Sequence, residues 1–262
     1  MPHKLERPFF WKLRNHPVHF LGSIHLSRKD GYALPAFVMR QFETASAINF
    51  ETKYEVLSIP DSRTQRATGS LISDIGEELF NIASSILLDV PNLERLNPEG
   101  VCYLHLPLSA YSREGLVSGN GVDSVLRKFA NKHARRVYGL ESDSQQFDAL
   151  FSDCGEETLT ILRRYLLDAD LLRQEALDIV NAVETGDLDL LSIIRAKAHN
   201  AAPRKIKILF PDREARWVAP IERLIATHKQ GIVVAGALHF AEPDGLLSRL
   251  RTKGYEFDRL EA

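Results

Sequence analysis

Residues 18–27 read VHFLGSIHLS, and residues 231–240 read GIVVAGALHF. Each is an apolar run in which a glycine precedes a histidine by three positions, Gly22 before His25 and Gly236 before His239. Continuous apolar runs, unlike strictly alternating ones, suit strands buried on both faces of a sheet, as parallel strands are. A glycine inside such a run has no side chain to pack and marks a place where a backbone, a side chain or a ligand comes close.

Two further runs end on a polar group. SAINFE, residues 46–51, stops at Glu51, and RRVYGLE, residues 135–141, stops at Glu141. Ligands of open α/β sheets bind in the crevice outside the carboxyl ends of the strands. If these four strands are parallel neighbours, His25, Glu51, Glu141 and His239 converge on one edge of one sheet. Taken singly, each has an ordinary reading: a hydrogen-bonded structural histidine, or a carboxylate favoured by a helix N-terminus. The common placement is what makes the four a candidate site.

The elements around these strands set the fold class. FFWKLR and VHFLGSIHL flank the turn NHP and predict a hairpin. LPAFVMRQFETA has helical spacing, with Pro35 suited to a first turn. Residues 52–66 are polar and predict a surface loop that overhangs Glu51 as a lid. LISDIGEELFNIASSILL and VDSVLRKFANKHA are helical, as is the long amphipathic stretch 156–186, which offers a face for a homodimer. The chain closes with helix 213–231, strand IVVAGALH, a helix over 244–254 and strand YEFDRL. This order predicts an α/β fold in one domain, 1–262. Its mixed central sheet has an N-terminal hairpin, flanking helices and a helix-rich insertion, about 67–133, between core segments 9–51 and 134–262.

Bulk properties exclude several classes. With 262 residues, 44% hydrophobic and 26% charged, the chain can bury a sizeable core. A formal net charge of -2 gives no drive toward nucleic acid. Cys102 and Cys154 make no disulfide framework and are read as small apolar residues. No apolar run reaches the roughly 18–20 residues of a membrane span. The first residues lack the apolar core of a signal peptide, so the expected compartment is cytoplasmic. The P-loop pattern, the G-x-S-x-G elbow and H-E-x-x-H are all absent from the sequence.

The assembled residues resemble the TraB/GumN/Tiki family over nearly the whole chain. The likeness rests on FFWKLRNHPVHFLGSIHLSRKDGYALP, INFE, GVDSVLRKFANKHARRVYGLES, FPDREARWV and VVAGALHFAEPDGLLSRLRTKGYEF. Glu214 stands where the family usually has asparagine after the arginine, and Glu242 where a glycine commonly follows the second histidine. Both departures are expected to add negative charge near the site. The resemblance implies a fold similar to erythromycin esterases and ChaN-like haem-binding proteins, and a kinship with metal-dependent proteases of the Tiki branch. It carries catalytic roles onto His25, Glu51, Arg213 and His239.

These residues give three expectations. The first is a metal-dependent hydrolase of peptide or small acyl substrates, with His25, Glu51, Glu141 and His239 holding Zn²⁺ or Mn²⁺ and Arg213 stabilising an oxyanion. The second is a metal-independent esterase-type hydrolase with His25 as base and Glu51 orienting it. The third is a protein of the same fold that captures a peptide or small ligand without cleaving it.

Overall fold

The computed structural model describes residues 1–54, 59–227 and 229–261. Its main sheet is built from β1 (Phe10–Leu13), β2 (Val18–Ser23), β4 (Ala47–Thr52), β6 (Val137–Glu141), β7 (Gly231–Gly236) and β8 (Phe257–Arg259). A separate two-stranded ribbon pairs β3 (Leu26–Arg28) with β5 (Leu116–Ser118). The main sheet runs in the order β8, β1, β2, β7, β4, β6. β8, β1 and β2 are joined antiparallel, whereas β2, β7, β4 and β6 are parallel neighbours. The four strands read from the apolar runs therefore do present their carboxyl ends on one edge.

Burial explains the pairing. All six residues of β2 are buried, and Ile232, Val233, Val234 and Ala235 of β7 are fully enclosed. Such strands have no solvated face and must lie inside the sheet. The expected hairpin forms through β1 and β2, with Asn15 in the left-handed region at φ 60°. Gly22 serves packing: a Cβ there would lie 2.8 Å from the Cβ of Phe9.

The longer helices among the described residues are α1 (Ala36–Thr44), α2 (Asp61–Thr64), α3 (Leu71–Ile75), α4 (Glu77–Ile86), α5 (Leu106–Arg113), α6 (Val122–Lys132), α7 (Asp143–Leu150), α8 (Glu156–Leu167), α9 (Ala169–Thr185), α10 (Leu188–Ala201), α11 (Pro203–Leu209), α12 (Pro211–Ala226) and α13 (Leu246–Arg251). On one face of the sheet Phe42 of α1 meets Phe50 of β4, with ring centroids 6.4 Å apart, and Phe129 of α6 at 5.8 Å. Glu51 follows Phe50 and, by strand alternation, points to the opposite face. That face belongs to α12, which buries Arg213, Glu214, Trp217 and Ile221.

The helix-rich insertion is present, and a second apolar cluster joins part of it to α8. Leu71, Ile75, Ala83, Leu93, Val101 and Leu106 pack with Ile161, Leu162 and Leu166 of α8.

Four expected boundaries move. Stretch 71–88 is two helices, because Gly76 at φ 83° takes a conformation that a helix interior does not allow. Stretch 156–186 breaks at Asp168, whose side chain caps α9 through the N–H groups of Asp170 and Leu171. Strand β2 ends at Ser23 and β7 at Gly236, so His25 and His239 lie beyond strands rather than on them. The proposed lid is partly structured. Residues 61–64 form α2, Arg63 donates to Asp148, and Gln65 bridges to Leu96. Residues 55–58 of that stretch lie outside the described residues. Among the described residues no helix is long and apolar enough to cross a membrane.

Candidate active site

The edge formed by the carboxyl ends of β2, β7, β4 and β6 is organised around one guanidinium. Arg213 is the third residue of α12, a helix that begins on Pro211. Its Nη2 donates to Glu51 Oε2 at 2.5 Å and to Glu141 Oε1 at 2.6 Å. Its Nε reaches Glu141 Oε1 at 2.9 Å. Nη1 donates to the carbonyl of Leu209 and faces His239 Nε2, both at 3.3 Å. All five guanidinium N–H groups are thus engaged within the protein.

Glu51 is held from two more sides. The N–H of Gly236 donates to Oε1 at 2.7 Å, and Gln146 of α7 donates to Oε2 at 3.2 Å. Any Cβ on residue 236 would sit 3.3 Å from Oε1, so a glycine at that point admits the carboxylate. Burial disfavours the charged form of Glu51, but the field of Arg213, with His239, His25 and the Gly236 N–H, outweighs it and depresses the pKa.

His239 occupies the short turn Ala237–Phe240 after β7 and is 3% exposed. Its ring is enclosed by Phe210 at 4.9 Å and Trp217 at 4.4 Å between centroids. Nδ1 lies 3.1 Å from Glu214 Oε1. With Arg213 donating to Nε2, this pattern assigns the ring proton to Nδ1 and leaves Nε2 as an acceptor.

Glu214 is fully buried, and Arg195 grips it with two bonds of 2.9 and 3.2 Å. Arg249 adds a third at 3.3 Å. Burial opposes ionisation of Glu214, while the hydrogen bond and charge of His239, followed by Arg195, lower its pKa. The three buried carboxylates Glu51, Glu141 and Glu214 therefore face Arg213, Arg195 and Arg249. Burial of charge is tolerated here because it is paired. The Glu214 departure adds no free negative charge. The carboxylate of Glu242 is likewise taken, by Ser248 and by Arg251 at 2.5 Å.

His25 differs from this closed network. It follows β2 by two residues, and its side chain is 67% exposed. Behind it stands Asp123, at the second position of α6, with Oδ2 3.4 Å from His25 Nδ1. Ser23 donates to the other oxygen, Oδ1, at 2.8 Å. The start of α6 is pressed onto this turn. Val122 donates its N–H to the Ile24 carbonyl at 2.9 Å, and a Cβ at Gly121 would fall 2.1 Å from that oxygen. Asp123 is the largest cause of a raised His25 pKa. Desolvation by the surrounding protein opposes it, Glu51 adds to it, and Arg127 and Arg213 work against it. His25 is thus within the electrostatic reach of Glu51 and Arg213 without entering their hydrogen-bond network.

Three of the four strand-end residues, Glu51, Glu141 and His239, come together on Arg213, and His25 stands at the solvent side. Among the described residues no group of three or more histidine, cysteine, aspartate or glutamate side chains is set to hold a metal ion. The donor chemistry agrees. The oxygens of Glu51 and Oε1 of Glu141 already accept from N–H groups, and a guanidinium cation lies between them. A divalent ion would meet that positive charge, so the closed arrangement fits Zn²⁺ or Mn²⁺ poorly.

Sequence reasoning missed Asp123, Gln146 and Arg195. The signal for Asp123 was legible as an acid in the first turn of a helix that follows a glycine-rich turn. The other two depend on how helices rotate against the sheet, and local pattern does not carry that.

A family model described as the TraB/PrgY/gumN family matches residues 9–259. No curated protein matches the chain at a significant level, and no solved structure does.

Proposed function

Given that this chain belongs to the TraB/PrgY/gumN family, we propose that it is a hydrolase of peptide or related acyl bonds in which His25 is the general base. The observation that carries this reading is the asymmetry of the two histidines. The Nδ1 and Nε2 atoms of His239 are both engaged by buried partners, whereas His25 presents its ring to solvent with a buried carboxylate behind Nδ1.

In this scheme Asp123 keeps the proton on Nδ1 and leaves Nε2 to take one from water. The water oxygen bonds to the acyl carbon. His25 then returns the proton to the departing nitrogen or oxygen as the acyl bond breaks. A positioned base of this kind contributes about 10²–10⁴ in rate. Arg213 is assigned a positioning role, because its donors are engaged with Glu51, Glu141, His239 and the Leu209 carbonyl. No step is routed through a metal.

The test is mass spectrometry of a mixed peptide and acyl-ester library after incubation with the purified protein. Shortened peptides or free acids that disappear with His25→Ala support hydrolysis. Intact peptides recovered together with measurable affinity would instead make this a capturing protein.

A further inference from the structure

A cavity of about 440 Å³, which the catalytic scheme leaves unused, is reached from His25 through one strand pair, Leu26 with Ser118. We infer that this cavity is the specificity pocket, taking a bulky uncharged apolar side chain of a peptide substrate next to the bond attacked from His25. The inference rests on the hydrolase reading for its cleavage step but not for its binding step.

Its place in the fold comes from the two chain segments that leave the site. Ser118 lines the cavity, and its partner across the ribbon is Leu26, the residue after His25. Ile59, Asp61, Thr64 and Gln65 form another wall, on the segment that follows the strand of Glu51. That wall is anchored: the Asn97 N–H donates to the Thr64 carbonyl at 2.8 Å, and Arg63 donates to Asp148 of α7. The cavity is therefore lined by the strand paired with the chain leaving His25 and by the chain that follows Glu51.

The far wall is apolar, formed by Val90, Pro91, Leu96, Leu104 and Leu108. Two of the lining residues sit on an unusual backbone. Residues Val101–His105 form a π-helical turn running into α5, and Leu104 and His105 of that turn line the cavity. Wide turns of this kind are rare, less favourable than α-helix and concentrated at functional sites. Leu108, one turn further, is 44% exposed and so open to a ligand at the cavity mouth.

Charge selects the occupant. Among the described residues that line the cavity, Asp61 is the one carboxylate and there is no lysine or arginine. Burial lowers the pKa of His105, so it adds no positive charge near neutral pH. An acidic side chain would meet Asp61 with no cation to offset it, and a basic one would gain little from a carboxylate that is solvent-exposed. A leucine, methionine or phenylalanine side chain removes water from the leucine wall at no such cost. The volume is that of an ordinary small ligand site and leaves room for adjoining backbone.

The experiment pairs cleavage with binding. Wild type and Leu108→Asp, matched for thermal midpoint, are given a peptide library. A blocked peptide centred on phenylalanine is titrated into His25→Ala and into His25→Ala/Leu108→Asp by fluorescence anisotropy. Products should carry a bulky apolar residue at one fixed position. Leu108→Asp should lower kcat/KM for those peptides, and their affinity, by about tenfold, the scale of lost apolar contact in a pocket. The loss should be smaller for small-residue peptides. Cleavage without apolar preference, or equal affinities with and without Leu108→Asp, overturns the pocket. If wild type cleaves nothing yet affinity for the phenylalanine peptide still falls with Leu108→Asp, the pocket stands and the hydrolase reading fails.

Discussion

Asp123 Oδ2 stands 3.4 Å behind Nδ1 of His25, while its other oxygen is held by Ser23 at 2.8 Å. The carboxylate is buried and the imidazole it faces is exposed. The carboxylate stands behind the open ring as a charge, without a hydrogen bond between the two. This arrangement predicts an acid limb in the pH–rate profile, since His25 must be neutral to accept a proton. Asp123 raises the His25 pKa, so Asp123→Asn should move that limb to lower pH. The plateau rate should fall by about 10²-fold as the ring loses its orientation. An unshifted limb would separate Asp123 from the titrating group.

Arg213 joins Glu51, Glu141 and His239, all buried. Replacing it by methionine keeps much of the volume and leaves two carboxylates without their cation. Loss of one partner of a buried pair costs roughly 3–5 kcal/mol. Urea unfolding of Arg213→Met should show a loss of that size. A change under about 0.5 kcal/mol, typical of an uncoupled surface site, would contradict the hub.

Acid should act through Glu51. Its folded pKa is depressed from the ordinary 4.5, so its stabilisation is fully present above that value. It is lost as pH falls below about 4.5 through the folded pKa, because the unfolded chain binds the proton first. Glu51→Gln should be less stable near neutrality and should show a flatter stability curve in that acid window. Parallel curves for variant and wild type would remove Glu51 from the linkage.

Gly121 admits the start of α6 to the His25 turn, where a Cβ would fall 2.1 Å from the Ile24 carbonyl oxygen. Gly121→Ala must push helix or turn aside, and overpacking of this kind costs about 1–3 kcal/mol. Hydrolysis should fall with stability, because Asp123 and His25 are displaced together. Full activity at normal stability would show that the contact is slack.

Chelation separates the two hydrolytic schemes. Activity should persist after treatment with a strong chelator and dialysis, since Arg213 occupies the space between the carboxylates. Loss that is restored by Zn²⁺ or Mn²⁺ would mean that Arg213 leaves Glu51 and Glu141 in the working state.

The sheet was legible because its inner strands are apolar on both faces and each run meets a polar residue near its end. That identified β2, β4, β6 and β7 and their shared edge. Strand ends were less legible. Gly22 and Gly236 look equivalent in sequence, yet one makes room for Phe9 and the other for the Glu51 carboxylate. The role of Arg213 was not legible, because FPDREARWV does not reveal which way α12 is turned against the sheet. For the same reason Glu214 read as stray charge, whereas it faces Arg195, Arg249 and His239. The cavity is lined in part by the π-helical turn at Val101–His105, and no local spacing announced it.

The most direct measurement of the central claim is the hydrolysis rate of His25→Ala against wild type, on one peptide cleaved by the latter, with folding verified by circular dichroism. The account predicts a fall of about 10²–10⁴-fold, with the product unchanged. A rate within a few-fold of wild type would contradict it and move the chemistry away from His25.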